Sequence, residues 1–227
     1  MKIESITDIA KRHIEEWIIT GRFQPGEQLK EEEICQRLEI SRPPVREALK
    51  ALEATGLVIK KPRRGVFVPE MTEKDIWEIY TLKAALYEMA IDLALPKITI
   101  KEIAKLESLM EKMEACVNKE PPDVLKYQKY HRSFHTTIMD VAGNGRLKTI
   151  AANLHNQVSM ISYKTLQERR HYLSSLRYHR KILQAIKERN SEYARQLTKD
   201  HVLSALDALT HSLPEQFHQK TQAKGTL

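Results

Sequence analysis

The stretch Ile40–Val68, ISRPPVREALKALEATGLVIKKPRRGVFV, determines the expected fold of the N-terminal part of the chain. Ser41 and the pair Pro43–Pro44 predict a helix start, because a proline in the first turn has its φ already set and loses no needed N–H. Apolar residues then recur at helical spacing, so one face of this helix packs against a core. Gly56 ends the predicted helix.

The opposite face of this helix is cationic. Arg42, Arg46 and Lys50 lie four residues apart and share that face. Two β-prone runs, 57–59 and 66–68, flank a loop rich in Lys and Arg, which predicts a hairpin. Seven Lys or Arg against two Glu in this region suit a polyanion such as nucleic acid, although a solvated charged surface is the alternative.

A family resemblance rests on this region. The segment SRPPVREAL, preceded by FQPGEQL and followed by GLV and an Arg–Gly pair, resembles the GntR family of bacterial transcription regulators. That resemblance implies a winged helix-turn-helix that binds double-stranded operator DNA. It makes Arg42 and Arg46 the leading DNA contacts, with Lys50 and Arg64 nearby and Gly65 at the tip of the wing.

Length and composition bound the organisation of the chain. With 227 residues and a change of pattern near residue 70, the chain predicts two domains, 1–70 and 71–215, followed by a tail, 216–227. Cys35 and Cys116 form no CxxC pair, which argues for a reducing compartment. No apolar run reaches the length of a membrane span, and the start has no apolar signal core. We therefore expect a soluble, cytoplasmic protein with no membrane partner.

The second domain reads as all helix, with six or seven helices. Thr99 predicts the cap of the second helix, and the third should begin near Asp123 and end at Gly143. The fifth should run from about Tyr172 to Glu188 and the sixth from about Ser191 to Leu213. Thr72 and Asp75 predict a capping box at the first helix of this domain, which should run to about Leu95, before Pro96. The positions of this helix that follow the helical period, and are therefore predicted to face inward, are Ile76, Ile79, Tyr80, Leu82, Leu86, Met89, Ala90 and Leu93. The fold class is mainly α, a winged helix-turn-helix joined to a helical bundle.

Four histidines fall on the apolar faces of three later helices. His131 and His135 are one turn apart on one helix, His179 lies on the next but one, and His201 lies on the last. Each alone is more often a hydrogen-bonded core residue than a ligand. Together they suggest a divalent metal, which satisfies several buried imidazoles at once.

A second resemblance covers these helices. The segments HRSFHTTIMDVAGNGRL, YHRKILQAI and DHVLSALDAL resemble the ligand-binding FCD domain of the FadR subfamily of GntR regulators. Many FCD domains bind a metal through an aspartate and three histidines. The match puts His135, His179 and His201 on the histidine positions and His131 in place of the aspartate. An all-histidine set favours zinc, nickel or copper over harder cations, and zinc or nickel is our expectation.

The FCD resemblance also implies an effector site. Lys83 stands where the family tends to have an arginine, and it would hold a carboxylate of a small effector; a solvated lysine is the alternative. Tyr87 stands where glutamate is frequent. Asn153 and Asn156 would line the same cavity, with surface amides as the alternative. The other histidines have no predicted role.

These features predict a homodimeric, ligand-responsive transcription regulator, a repressor controlled by a small carboxylate metabolite, and not an enzyme. A metal-dependent helical-bundle enzyme is one alternative, but the matching segments provide no clear carboxylate base beside the metal. A DNA-binding module whose helical domain only dimerises is another.

Overall fold

The structure, a computed structural model, describes residues 4–212. These residues form nine helices and three short strands. Contacts divide them into two compact units: one holds the residues up to Met71 together with Ala152–Met160, and the other holds Thr72–Ala151 and the residues from Ile161 onward. In the described part of the chain no helix has the length and apolarity that a membrane crossing requires.

The N-terminal unit is a winged helix-turn-helix. Its elements are α1 (Ile6–Ile19), β1 (Gln28–Leu29), α2 (Glu31–Leu38), α3 (Arg42–Ala54), β2 (Ile59–Lys61) and β3 (Gly65–Phe67). The helices α1 and α2 both pack on α3. The strands form an antiparallel sheet in the order β1-β3-β2, with Gln28 opposite Phe67 and Lys60 opposite Val66.

Local chemistry explains the boundaries in this unit. The Ser5 hydroxyl caps α1 by accepting from the Asp8 backbone N–H. Glu39, with a φ of 55°, forms the turn between α2 and α3, and Gly56, with a φ of 75°, ends the turn after α3. The core beneath α3 is apolar and includes Ile14 and Leu52, each at most 1% exposed.

The hairpin differs from its prediction in two respects. Its strands begin at Ile59 and Gly65 instead of at residues 57 and 66, because Leu57 and Val58 are buried in the helical core instead of pairing in the sheet. The strand β1 was not predicted, since two residues are too short to show an alternating pattern.

The second unit consists mainly of six helices. They are α4 (Glu73–Ala94), α5 (Ile100–Val117), α6 (Val124–Ala142), α7 (Gly145–Leu166), α8 (Arg169–Lys187) and α9 (Ser191–Ser212). Helix α4 packs on α6 and α9, α5 packs on α6 and α8, and α8 packs on α9. The predicted end of the last helix at Leu213 and the tail, 216–227, lie outside the described residues.

The predicted caps of this unit are confirmed. Thr72 and Asp75 form a capping box, and Thr99 forms another with Glu102. The Asp123 side chain caps α6 by accepting from the Lys126 N–H, and Gly143, with a φ of 71°, ends that helix. Helix α8 begins at Arg169, three residues before the predicted start.

The buried face of α4 differs from its prediction. Leu82 and Met89 are 48% and 50% exposed, whereas Lys83 and Tyr87 are buried. Residues 76, 79, 80, 83, 87 and 90 follow one stripe of the helix, and that stripe faces α6 and α9. Apolar residues occur on both sides of α4, so the apolar pattern alone assigned Leu82 and Met89 to the wrong face of the helix.

Candidate functional site

Four histidines converge inside the helical unit. His131 and His135 come from α6, His179 from α8 and His201 from α9, and one potential ligand atom from each lies within 4.8 Å of all the others. His135, His179 and His201 are buried, and His131 is half-buried. We call these four residues the histidine cluster. The cluster therefore lies in the interior of the bundle.

The cluster contains two close pairs of ring nitrogens. The Nε2 atoms of His131 and His201 are 3.2 Å apart, and those of His135 and His179 are 3.0 Å apart. Without a cation, one imidazole of each pair must donate its proton to the other, because two lone pairs at this distance repel. A shared metal ion is the other arrangement that satisfies two facing lone pairs.

The orientation of His179 is fixed from behind. Its Nδ1 lies 2.7 Å from the carbonyl oxygen of Ser175, one turn earlier on α8. A carbonyl only accepts, so Nδ1 carries the proton and Nε2 presents a lone pair to the cluster. The Ser175 hydroxyl in turn accepts a 2.8 Å hydrogen bond from the Tyr127 hydroxyl. This support from outside the ligand set is typical of metal-binding histidines.

Burial favours the uncharged form of His179 and His201, two members of the cluster. It lowers the pKa of His179 to about 4, although the hydrogen bond to Ser175 opposes the shift. Burial also lowers the pKa of His201 well below its usual value, and the positive charges of His179, His131, Lys83 and His171 act in the same direction. Neutral imidazole is the form that binds metal.

The donor set fits a divalent metal. Four imidazoles suit zinc, nickel and copper, and cations that prefer oxygen ligands are less well served. The buried Nδ1 of His201 has no hydrogen-bonding partner among the residues that the structure describes. Leaving a buried nitrogen without a partner costs free energy. The other nitrogen of the His201 ring, Nε2, is available as a metal ligand.

Lys83 lies beside the cluster. Its side chain is buried, and its Nζ is 5.3 Å from the ring centres of both Tyr80 and Tyr87. Burial lowers the pKa of the Lys83 amine to about 8. Because Lys83 is only 5% exposed, the solvated-lysine alternative does not describe it. Within residues 4–212 it forms no ion pair with a carboxylate.

The two tyrosines connect Lys83 to the rest of the bundle. The Tyr87 ring centre is 4.8 Å from that of His135, and the Tyr80 hydroxyl lies 3.0 Å from the Ser162 hydroxyl on α7. Burial raises the pKa of both phenols, to about 12 for Tyr80. Both therefore stay protonated and can donate a hydrogen bond at neutral pH.

The two asparagines predicted to bind effector, Asn153 and Asn156, both lie on α7. Asn156 is buried, and its Nδ2 lies 3.4 Å from the Thr55 carbonyl oxygen. Both residues belong to the N-terminal unit. Asn153 is half-buried. The structure thus gives Asn156 a partner outside the histidine cluster.

Three residues near the cluster were not predicted. His171 is close enough to His201 to affect its pKa, the Tyr178 ring centre is 5.6 Å from that of His201, and Ser175 orients His179. A polar residue four positions before His179 on the same helical face was a usable indication for Ser175. His171 and Tyr178 reach the cluster through packing between helices, which helical spacing does not encode.

The winged helix presents its own cationic surface. Arg42, Arg46 and Lys50 are exposed on α3, and Arg64 and Gly65 are exposed at the wing. We call these five residues the cationic surface. Glu47 and Glu53 are the acidic residues within α3, and Glu47 pairs with Lys50 at 2.8 Å.

Two contacts order this surface. Arg46 Nε donates to Glu31 Oε2 at 2.7 Å, which links the start of α2 to α3. Gln28 Nε2 donates to the Arg64 carbonyl oxygen at 2.7 Å and ties β1 to the wing turn. Gly65 has a φ of 102°, and a Cβ there would lie 2.8 Å from Gln28 Nε2. The wing turn therefore requires glycine at this position.

Comparison with protein families supports both units. Residues 7–68 match the model for bacterial regulatory proteins of the gntR family, and residues 78–204 match the FCD domain model.

Among curated relatives, the uncharacterized HTH-type transcriptional regulator YdhC of Bacillus subtilis is 27% identical over 202 residues, which cover 89% of this chain and 90% of that protein. The gluconate operon transcriptional repressor of the same species is 34% identical over 138 residues, covering 60% of this chain and 55% of the repressor.

Solved structures share the fold. E. coli McbR/YncC superposes with a TM-score of 0.79 at 21% identity, covering 92% of this chain and 99% of that one. A GntR regulator from Rhodococcus sp. RHA1 superposes with a TM-score of 0.74 at 24% identity, covering 92% and 99%. With both family models matched in the order that the two units require, the chain belongs to the GntR family, carries a C-terminal FCD domain, and is a DNA-binding transcription regulator and not an enzyme.

Proposed function

We propose that this regulator represses transcription from an operator and that a small carboxylate effector, bound at a zinc or nickel ion in the histidine cluster, controls the repression. The observation that carries this proposal is the convergence of four imidazoles within 4.8 Å in the interior of the FCD domain. Packing alone gives no reason to bury four neutral imidazoles together, since each buried nitrogen costs free energy unless it is satisfied.

The residues of the chain have distinct roles in effector binding. The histidine cluster would hold the ion, whose positive charge attracts a carboxylate oxygen. Lys83 would contact a second oxygen of the effector from α4, and the protonated Tyr80 and Tyr87 hydroxyls are available as donors. Asn153 and Asn156 remain the least supported members of the effector site, because Asn156 already has a partner at Thr55.

The cationic surface is the proposed operator contact. Arg42 and Arg46 occupy the first two turns of α3, the part of a recognition helix that enters the major groove, and Lys50 lies one turn further on. Arg64 and Gly65 would bring the wing to the neighbouring phosphates. Arginine forms bidentate hydrogen bonds to guanine, so Arg42 and Arg46 are the candidates for sequence recognition.

Repression is supported by the names of relatives. HTH-type transcriptional repressor GlaR of Escherichia coli is 26% identical over 205 residues, and the gluconate operon regulator of Bacillus subtilis is also named a repressor. We also propose a cytoplasmic location, because operator DNA is the proposed partner.

We also propose a homodimer with its interface in the helical unit. Leu82, Leu86, Met89 and Leu93 recur at spacings of four, three and four on α4, so they form one stripe. Leu82 and Met89 are exposed, as is Ile150 of α7, which lines a shared surface groove with Leu93. A second copy of this stripe is a self-complementary partner, and two-fold pairing would present two wings to two half-sites.

A selection from random double-stranded DNA followed by affinity measurement tests this function. The full-length protein should enrich a two-fold symmetric sequence. Its affinity for that sequence should change when nickel or zinc and a panel of small carboxylates are added together. An effector-free module that only dimerises would bind the same sequence with an affinity that no metal or carboxylate alters.

A further inference from the structure

A surface groove lies at one end of the helical unit, outside the histidine cluster. It has a volume of about 680 Å³ and is formed by the α5–α6 connection, the start of α6, the end of α7 and the start of α8. Of the described residues that line it, none belongs to the histidine cluster, and Lys83 is not among them. The groove is therefore a separate feature of this unit.

Tyr172 lies at the base of this groove with an unsatisfied hydroxyl. The residue lines the groove although it is only 1% exposed, and its hydroxyl has no hydrogen-bonding partner among residues 4–212. Its ring packs edge-on against Tyr127, with the ring centres 4.5 Å apart, so its position is fixed. Leaving a buried hydroxyl without a partner costs free energy. A ligand oxygen in the groove removes that cost.

The base of the groove favours an uncharged oxygen. Burial raises the pKa of the Tyr172 hydroxyl, and Cys116 and Asp123 act in the same direction, so the hydroxyl stays protonated and can donate. The Asp123 carboxylate also lines the groove, where it caps α6 and pairs with Lys119 and Lys126, each at 3.6 Å. Because this carboxylate lies close enough to affect Tyr172, it repels a second carboxylate there.

The start of α8 favours negative charge at the rim of the groove. Arg169, the first residue of α8, lines the groove and is exposed. Glu168 precedes it as the N-cap residue and makes no side-chain hydrogen bond to the first turn of the helix. The backbone N–H groups of that turn are therefore available to an anion, which the helix dipole also favours. A carboxylate fits this end of the groove.

The walls between base and rim are apolar and aromatic. Pro121, Pro122, Val124 and Leu125 line the groove from the α5–α6 connection and the start of α6, and Tyr163 lines it from α7. An aromatic side chain and proline rings suit a planar apolar body. The volume of the groove falls within the range of small-molecule sites, roughly 300–1,000 Å³.

We infer that this groove binds a small aromatic carboxylate, with its ring against Tyr163, its carboxylate at Arg169 and an uncharged oxygen at its far end bonded to Tyr172. The site is distinct from the proposed metal centre and needs no metal ion. Two acids serve as matched probes. 4-Hydroxybenzoate has a carboxylate and a hydroxyl at opposite ends of one ring, and benzoate lacks the hydroxyl.

Calorimetry of the full-length, chelator-treated protein with each acid tests this site. The parent should bind 4-hydroxybenzoate about tenfold more tightly than benzoate, because only 4-hydroxybenzoate accepts a hydrogen bond from Tyr172. Tyr172→Phe keeps the ring and its packing on Tyr127, and this variant should bind the two acids equally. Tyr193→Phe changes an exposed tyrosine of α9 and should keep the preference of the parent.

A second pair of variants tests the rim. Arg169→Gln removes the cation of the groove and should weaken the binding of both acids to a similar extent, because both carry the carboxylate. Arg170→Gln is the matched control, since Arg170 is exposed on the same turn of α8 and does not line the groove. This pair carries the test if Tyr172→Phe fails to fold by circular dichroism.

Three outcomes overturn the inference. One is binding of neither acid by the parent at millimolar concentration. Another is equal affinity of the parent for the two acids, or a preference that Tyr172→Phe retains, because Tyr172 would then make no contact with the ligand. The third is equal affinity in Arg169→Gln and Arg170→Gln, which would place the carboxylate outside this groove.

Discussion

The Nε2 atoms of His135 and His179 lie 3.0 Å apart in the interior of the helical unit, although the residues are 44 positions apart in the chain. The proton on His179 is held at Nδ1 by the Ser175 carbonyl, so in the metal-free protein His135 must donate to His179 through Nε2. Metal binding through both Nε2 atoms requires His135 to move that proton to Nδ1 or release it. One of the two ligands is therefore already in its binding tautomer.

Burial of His179 makes the stability of the metal-free protein depend on pH. Its pKa is about 4 in the folded state and about 6.5 when unfolded, so above pH 6.5 both states are neutral. Below pH 6.5 only the unfolded state binds the proton, and stability falls until about pH 4. We expect a loss of about 3 kcal/mol over this range, at ~1.36 kcal/mol per unit of pKa.

Urea unfolding of chelator-treated protein at a series of pH values measures this dependence. His179→Gln removes the titrating group, and its curve should be flatter between pH 6.5 and 4. A parent and variant with the same slope would show that His179 is not the group responsible.

Arg46 is expected to contribute more to operator affinity than its ion-pair partner Glu31. Arg46→Ala should weaken binding by about 1–3 kcal/mol if the side chain contacts a base. Its ion pair with Glu31 holds the guanidinium on the α3 surface, so Glu31→Gln should weaken binding by less.

Fluorescence anisotropy with the selected operator provides the measurement. Arg12→Ala, an exposed arginine of α1 paired with Glu4, is the matched control. Unchanged affinity in a folded Arg46→Ala protein would remove Arg46 from the operator contact.

The wing turn gives a prediction about backbone conformation. Gly65→Ala puts a side chain at a φ of 102° and a Cβ 2.8 Å from Gln28 Nε2, so the turn must change. We expect weaker operator binding with little change in the unfolding of the helical unit. Gly145→Ala is the control, since no atom lies within 4 Å of a Cβ at that position. Equal operator affinity in the two variants would show that the wing conformation does not matter for binding.

The apolar stripe on α4 predicts which substitutions dissociate the dimer. Leu82→Asp and Met89→Asp place charge at the centre of the proposed interface and should give monomers in sedimentation velocity experiments. Ile100→Asp changes an apolar side chain that is 85% exposed at the start of α5, and this variant should remain dimeric. Dimers in all three variants would move the interface to another surface.

Helix positions were largely predictable from the sequence, because their causes are local. Thr72 and Asp75 cap α4, and Thr99 caps α5, where the sequence indicates. The strand β1 was not predictable, since two residues pair with β3 only through tertiary contacts. The predicted buried face of α4 was wrong at Leu82 and Met89, which are exposed. Helix α4 has one apolar stripe that packs within the subunit and another that remains exposed, so the apolar pattern alone did not distinguish them.

The candidate site was predictable only in part, because local spacing does not encode the contacts between helices. Helical spacing predicts that each histidine of the cluster faces inward, and the structure supplies the distances between helices. The burial of Lys83 could not be derived, because a lysine in a helical pattern is usually solvated. His171 and Tyr178 approach His201 through the packing of α8 on α9, and no local pattern encodes that contact.

Native mass spectrometry of the full-length protein, incubated with nickel or zinc and then dialysed, tests the central claim most directly, because mass reports metal and oligomeric state together. The parent should appear as a dimer with one metal ion per protomer, and His211→Ala should match it. His179→Ala and His201→Ala should lose the metal. Metal-free parent protein, or metal retained equally by His179→Ala and His201→Ala, would contradict the account.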